Sequence, residues 1–391
     1  MSNRRLASSA LFLTASATVF ACMWDQDTLV HEATAMPNVV QVAVGRFEQN
    51  PPLYYQMRID RETPLVKLGP KRLYLYDDIG VANARLGHQD EAIAWMEKKH
   101  AVMGDLSRAK TVNGKRDAFS EAAYRYYANV GTFWLLRWAD HGGKIEEIGQ
   151  LKHARDLIAK AIEINPDAHF GRETVQLTVM DWLIESSGKP DAMTLAEYLG
   201  DGGEITNTHT SDDSRKRIKG LIGLITLGAA WEMPDIYDAL ASEMDGEYRH
   251  ISKLGFFVRL REKELFESGK TSFVKRTESS LRLETLFPEE GTIRSEFKRL
   301  RTEADEWSKA RTEFMMTKLN RGRHPDTDPH FWDGYVSKPA PHIEYGFFDN
   351  LDWGQRILML LGGCCSAPFL LWFGVRLVIR RVQVRKTKAT N

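Results

Sequence analysis

YLYDDIGVANARLGHQDEAIAWMEKKH, residues 74–100, decides the fold. Its apolar and small residues fall at helical spacing on both sides of a break at Gly87: Tyr76, Ile79 and Gly80 before it, Ala92 and Met96 after it. Two short helices joined by a tight turn must lie antiparallel. The small residues Gly80 and Ala92 let them approach closely, while Tyr76, Ile79 and Met96 fill the space around the crossing. Working outward, the same spacing recurs from Leu73 to Leu319, broken by Gly, Asn, Asp and Pro clusters and without a sustained alternating segment. The class is therefore all-α, with helices expected near 73–86, 89–102, 118–138, 148–163, 171–186, 213–229, 234–244, 249–267 and 289–320. A second unit repeats the parts with Tyr127, Val130, Gly131 and Trp134, then Ala154, Ile158 and Ala161, closed by Asn165 and Pro166. Its spacing from Gly131 to Ala154 exceeds that from Gly80 to Ala92 by 11 residues, so the turn carrying Gly142 and Gly143 is expected to be enlarged. A third unit is weaker, with Gln176 where a glycine is wanted.

Residues 74–100 resemble the tetratricopeptide (TPR) repeat, with Asn83 and Lys99 departing from its usual aromatic and alanine. The resemblance implies a solenoid of helical hairpins over residues 73–320, with the segment 22–72 packed on it. It also implies an inner groove for an extended peptide, lined by the first helix of each pair. That maps onto Tyr74, Asp77, Val81 and Arg85, then Arg125, Asn129 and Thr132. A closer resemblance covers residues 22–185. CMWDQDTL (22–29), VGRFEQNPPLYYQMR (44–58), LYDDIGVANARLGHQDEAIAWM (75–96) and NPDAHFGRE (165–173) together look like a family of uncharacterised exported bacterial TPR proteins common in planctomycetes. That resemblance implies export and a TPR fold and brings no activity with it.

The ends point to a membrane. Residues 357–375, ILMLLGGCCSAPFLLWFGV, carry no charge and as a helix cover roughly 28 Å of a ~30 Å hydrocarbon layer, so 356–380 is expected to form a single transmembrane helix. Trp353 and Trp372 near its ends suit the interfaces, and the basic tail, 381–391, marks the cytoplasmic side. At the N-terminus, Arg4 and Arg5 precede an apolar stretch, with Val19 and Ala21 placed for cleavage before Cys22, so 1–21 reads as a signal peptide. The same residues partly match a lipobox, in which Cys22 would be lipidated, and an uncleaved anchor is a third possibility; each leaves the main domain extracytoplasmic. Residues 321–355, with four prolines, read as a juxtamembrane linker whose aromatics either lie on lipid or pack on the domain.

Lys plus Arg equals Asp plus Glu at 53 each. Eight bases and no acid lie in residues 1–21 and 376–391, so the part between holds 45 bases against 53 acids, about −8, which disfavours a nucleic-acid partner. The cysteines are Cys22, Cys364 and Cys365, which offer no internal disulfide to the exported domain.

Little in the chain reads as chemistry. Cys22, Asp25, Asp27 and His31 match no zinc framework, and the carboxylates serve equally as helix caps. His169 and Glu173 share a helix face, yet Glu173 also suits the positive end of its helix. Asp77 and Asp78 point in different directions and read as a solvated face. With no phosphate loop, nucleophile elbow or zinc-protease helix, the expectation is no metal, no cofactor, and a protein or peptide partner in place of a reaction. A ligand-binding receptor or enzyme built on Asp25, Asp27, His169 and Glu173 is the alternative.

Overall fold

The computed structural model describes residues 23–27, 38–166, 172–189, 191–200, 211–228, 230–248, 253–276 and 290–341. The expected signal peptide, Cys22, His31, His169, the transmembrane stretch and the basic tail lie outside the described residues. Among the described residues no helix is long and apolar enough to cross a membrane.

Helices account for the described fold, as the all-α reading requires. They are α1 (Val39–Ala43), α2 (Pro52–Leu68), α3 (Leu73–Arg85), α4 (Gln89–Met103), α5 (Ala118–Asp140), α6 (Ile148–Ile164), α7 (Arg172–Ser186), α8 (Leu195–Gly200), α9 (Ser211–Thr226), α10 (Pro234–Tyr248), α11 (Lys253–Glu267) and α12 (Glu290–Leu319). Nine of these answer to the nine expected ranges; α1, α2 and α8 do not. The short α1 and α8 are held by reciprocal caps that need little apolar periodicity. Asn38 accepts from the Gln41 amide while Gln41 accepts from that of Asn38 (2.9 Å each), and Thr194 and Glu197 exchange the same pair of bonds. Helix α2 escapes the apolar pattern for a different reason. Its inward stripe, Tyr54, Arg58, Glu62 and Val66, keeps the four-residue spacing but puts two charges on the buried face.

The crossings read from the two hairpins are present. A Cβ on Gly80 would lie 2.8 Å from Met96 Cε and 3.2 Å from Phe133, and one on Gly131 would lie 3.0 Å from the Ala154 carbonyl oxygen and from Ile158. At Gly131 the neighbour is backbone and cannot yield, so glycine is required there; at Gly80 a methyl would have to displace the Met96 tip beside the Phe133 ring. The extra residues of the second hairpin do not all go into its turn. Helix α5 ends nine residues past Gly131 where α3 ends five past Gly80, α6 starts earlier relative to Ala154, and only the remainder lengthens the connection at Gly142 and Gly143.

Each helix from α2 to α7 packs on the next; α7 packs on α9, α9 on α10 and α10 on α11. The array then closes on itself, because α11 packs against α1 and α12 against α2. One core cluster joins Leu75, Ile79, Met96, Tyr124 and Phe133 with Met23 and Trp24. A second joins Tyr54 and Tyr55 of α2, Ala82 of α3, Met315 and Leu319 of α12, and Phe331. Residues 321–341, read from sequence as the start of a linker, are therefore a folded part of the domain: Phe331 and His324 are buried, and His324 stacks on Tyr54 with ring centroids 4.4 Å apart. The Pro-rich composition hid this, since the contacts made here have no period.

Candidate functional site

Of the residues expected to line a TPR groove, Asp77, Arg125 and Asn129 gather around the chain's own N-terminal segment. Trp24 donates its amide N–H to Asn129 Oδ1 (2.6 Å), and its carbonyl accepts from Asn129 Nδ2 (3.0 Å). One side-chain amide thus pairs with both main-chain groups of one residue, as a neighbouring strand would. The Trp24 indole donates to Tyr124 Oη (3.1 Å), which donates on to Glu173 Oε1 (2.7 Å), and the Trp24 and Tyr124 rings meet edge to face at 5.5 Å. The Arg125 guanidinium stands 5.3 Å from the Trp24 ring.

Below this segment Asn129 Nδ2 also donates to Asp77 Oδ1 (3.1 Å), and Asp77 takes both carboxylate oxygens to Lys99 Nζ at 2.7 Å. Lys99 gives a further bond to the Ala122 carbonyl (2.9 Å). Lys99 supplies the cation that Asp77, buried on the facing helix, needs. Burial pushes the Asp77 carboxyl up and the Lys99 amine down, against the attraction between them.

Beyond Trp24 the segment is held by charge. Gln26 donates its amide to Asp78 Oδ1 (2.9 Å). Arg58, with no exposed side-chain surface, reaches Asp25 (3.1 Å), Asp27 (2.9 Å) and Asp326 (2.8 Å). Tyr54 Oη donates to Asp27 Oδ1 (2.7 Å), and Arg58 Nη2 donates to Tyr54 Oη. Burial alone would push the Asp326 carboxyl up; the hydrogen bonds and charge of Arg58 outweigh it and bring it down to about 2. Asp78 goes the other way, to about 8, through burial first and then the neighbouring Asp25 and Glu62 carboxylates.

Several expectations change here. Asp77 and Asp78 are not a solvated face: each is 3% exposed. Asp77, Val81, Asn129 and Thr132 do not form an open groove: all four are buried, and Trp24 lies across Asn129. Thr132 accepts from Gln176 Nε2 (3.2 Å). Arg85 turns away from Trp24 to the Leu227 and Gly228 carbonyls (2.6 and 2.7 Å). Tyr74, 53% exposed, is a surface residue at the end of this face. Asp25 and Asp27 are ligands of Arg58, and Glu173 is a buried acceptor of Tyr124. Among the described residues no three His, Cys, Asp or Glu side chains are grouped to hold a metal ion.

Arg58, Lys99, Tyr124 and Asp326 were not proposed from sequence as site residues. The first three were legible in part: Arg58 through its four-residue stripe with Tyr54 and Glu62, Lys99 as a departure from the repeat, Tyr124 on the inner side of α5. Asp326 carried no signal, since its partner is 268 residues away. The four segments that carry the family resemblance contribute Trp24, Arg58, Asp77 and Glu173 to this single network. What the network does is hold residues 23–27 by the Trp24 main chain and by the acids Asp25 and Asp27. Comparison with protein-family models, with curated proteins and with solved structures found no match to this chain.

Proposed function

We propose that this chain is a membrane-anchored, extracytoplasmic TPR-like protein that acts as a protein–protein interaction or scaffolding module. The observation that carries the reading is the pairing of Asn129 with both main-chain groups of Trp24, a mode of holding a peptide that does not depend on its side chains. In this reading residues 23–27 are a resident ligand. They tie the first hairpins to α2 and the 321–341 segment, and partners meet this unit at the exposed end of the inner face, where Tyr74 lies, and along its partly exposed edge at Arg125. The anchor is the apolar stretch 357–375, with the basic tail in the cytoplasm.

The test is photo-cross-linking in intact cells from a reactive residue placed at Tyr74 and, separately, at Arg125. A discrete cross-link to another polypeptide, lost when Asn129→Ala loosens the inner face, supports the reading. Cross-links confined to the chain itself would make it a structural spacer and sink the interaction role. Protease applied to spheroplasts should digest the helical domain and spare the basic tail; the reverse pattern would overturn the topology.

A further inference from the structure

Asp25 and Asp27, which hold Arg58, also line a cavity of about 140 Å³ bounded by α2, α3 and the segment that follows α9. Its wall combines three kinds of group. Tyr55 and Trp231 supply aromatic surface; Asp25, Asp27 and Glu48 supply acceptors; Asn50 and Arg85 supply donors. We propose that this cavity is a saccharide-binding site that takes one pyranose ring of an uncharged sugar.

Three features select that class. The first is charge. From behind the wall Arg311 holds Glu48, and Arg58, which Asp326 also holds, reaches Asp25 and Asp27, while Arg85 lies in the wall itself, so acids and guanidinium groups are interleaved and no anion is favoured. A ligand rich in hydroxyls, each both donor and acceptor, fits such a wall. The second is preorganisation. Arg311 donates to Glu48 Oε2 (2.8 Å) and Asn50 Oδ1 (3.2 Å), Asn50 Nδ2 reaches Asp27 Oδ2 (3.4 Å), and Arg85 is fixed by two backbone carbonyls with its guanidinium 5.7 Å from the Trp231 ring. These polar groups are locked before any ligand arrives, so binding costs little side-chain ordering. The third is shape. A hollow of roughly 150 Å³ accepts one six-membered ring, and two aromatic side chains offer the flat apolar surface that the C–H face of a pyranose covers.

The test uses the full chain in a detergent without a sugar headgroup, titrated calorimetrically with methyl glucoside, methyl galactoside and N-acetylglucosamine, and with putrescine as a cation of similar size. At least one sugar should bind saturably, with Kd on the order of 1–10 mM for so small a contact, and putrescine should not. Trp231→Ala should weaken that binding at least about tenfold. Should Trp231→Ala fail to fold, Glu48→Gln, at the half-exposed rim, provides the second variant and should weaken binding by a few-fold with an unchanged melting temperature. No saturable heat with any sugar, binding of putrescine in preference to sugars, or sugar binding untouched by the variant that folds would each overturn the assignment.

Discussion

Replacing Arg58 by methionine removes the cation that joins the N-terminal segment, α2 and the 321–341 segment while keeping much of its volume. Arg58 makes charged hydrogen bonds to three carboxylates, of which Asp25 and Asp326 have almost no exposed side-chain surface and Asp27 about a quarter. Without it, three acids face one another in a buried place. Breaking such a group by removing one partner costs about 3–5 kcal/mol, against a total domain stability of about 5–15 kcal/mol. Part of this can be worked from Asp326 alone. Its folded pKa, about 2, lies below the unfolded value of 3.8, a difference worth roughly 2 kcal/mol. Because the folded value is the lower one, this stabilisation is present above about pH 4 and is lost as pH falls through about 2. The deficit of Arg58→Met should therefore be full at pH 7 and should shrink by roughly 2 kcal/mol toward pH 2. Arg58→Lys, which keeps the charge but not the planar fork, should fall between the two. Denaturant unfolding of the full chain in micelles, followed by tryptophan fluorescence at pH 7 and below pH 3, measures these differences. A loss below about 1 kcal/mol at pH 7, or an equal loss at both pH values, would refute the argument that this cluster is held by charge.

Asn129→Ala removes two bonds to the Trp24 main chain and one to Asp77 in a fully buried place, and should cost about 2–4 kcal/mol and shift tryptophan emission to longer wavelength as Trp24 gains water; unchanged emission would count against the segment's placement. Gly131→Ala should cost about 1–3 kcal/mol, since the new methyl meets the Ala154 carbonyl at 3.0 Å and backbone cannot yield as a side chain can. Gly149→Ala, in open space, should be neutral or stabilising by up to about 1 kcal/mol, and equal effects at the two glycines in thermal melts would discredit the packing argument. Asp78 and Glu262, both pushed up to about 8 chiefly by burial, have folded values above their unfolded ones, so their contribution is full below about pH 4 and is lost as pH rises through about 8. Asp78→Asn, which keeps the acceptor for Gln26, should therefore raise the melting temperature at pH 9 and leave it nearly unchanged at pH 4; a gain confined to acid pH would reverse the sign of this account.

Residues 74–100 alone specified antiparallel helices, and the small residues Gly80, Ala92, Gly131 and Ala154 marked where helix axes come close, because close approach is a local steric demand that only small residues meet. The apolar period placed nine helices for the same reason: each buries an apolar stripe. It failed at α2, whose buried stripe carries Arg58 and Glu62, and at residues 321–341, where Phe331 and His324 are buried without any repeat. The inner-face positions were legible as positions, but not their state. Asp77 and Asn129 read equally as an open peptide groove or as solvated helix surface until α11 meets α1, α12 meets α2 and Trp24 lies across Asn129. Those contacts join residues 105 to 268 apart, and a pairing over such distances leaves no mark on local composition or spacing. Sequence thus determined which segments are helices and where they cross. The burial of charge around Arg58, Asp77 and Lys99 was decided only when segments distant in the chain packed over them, removed water and left each other as partners.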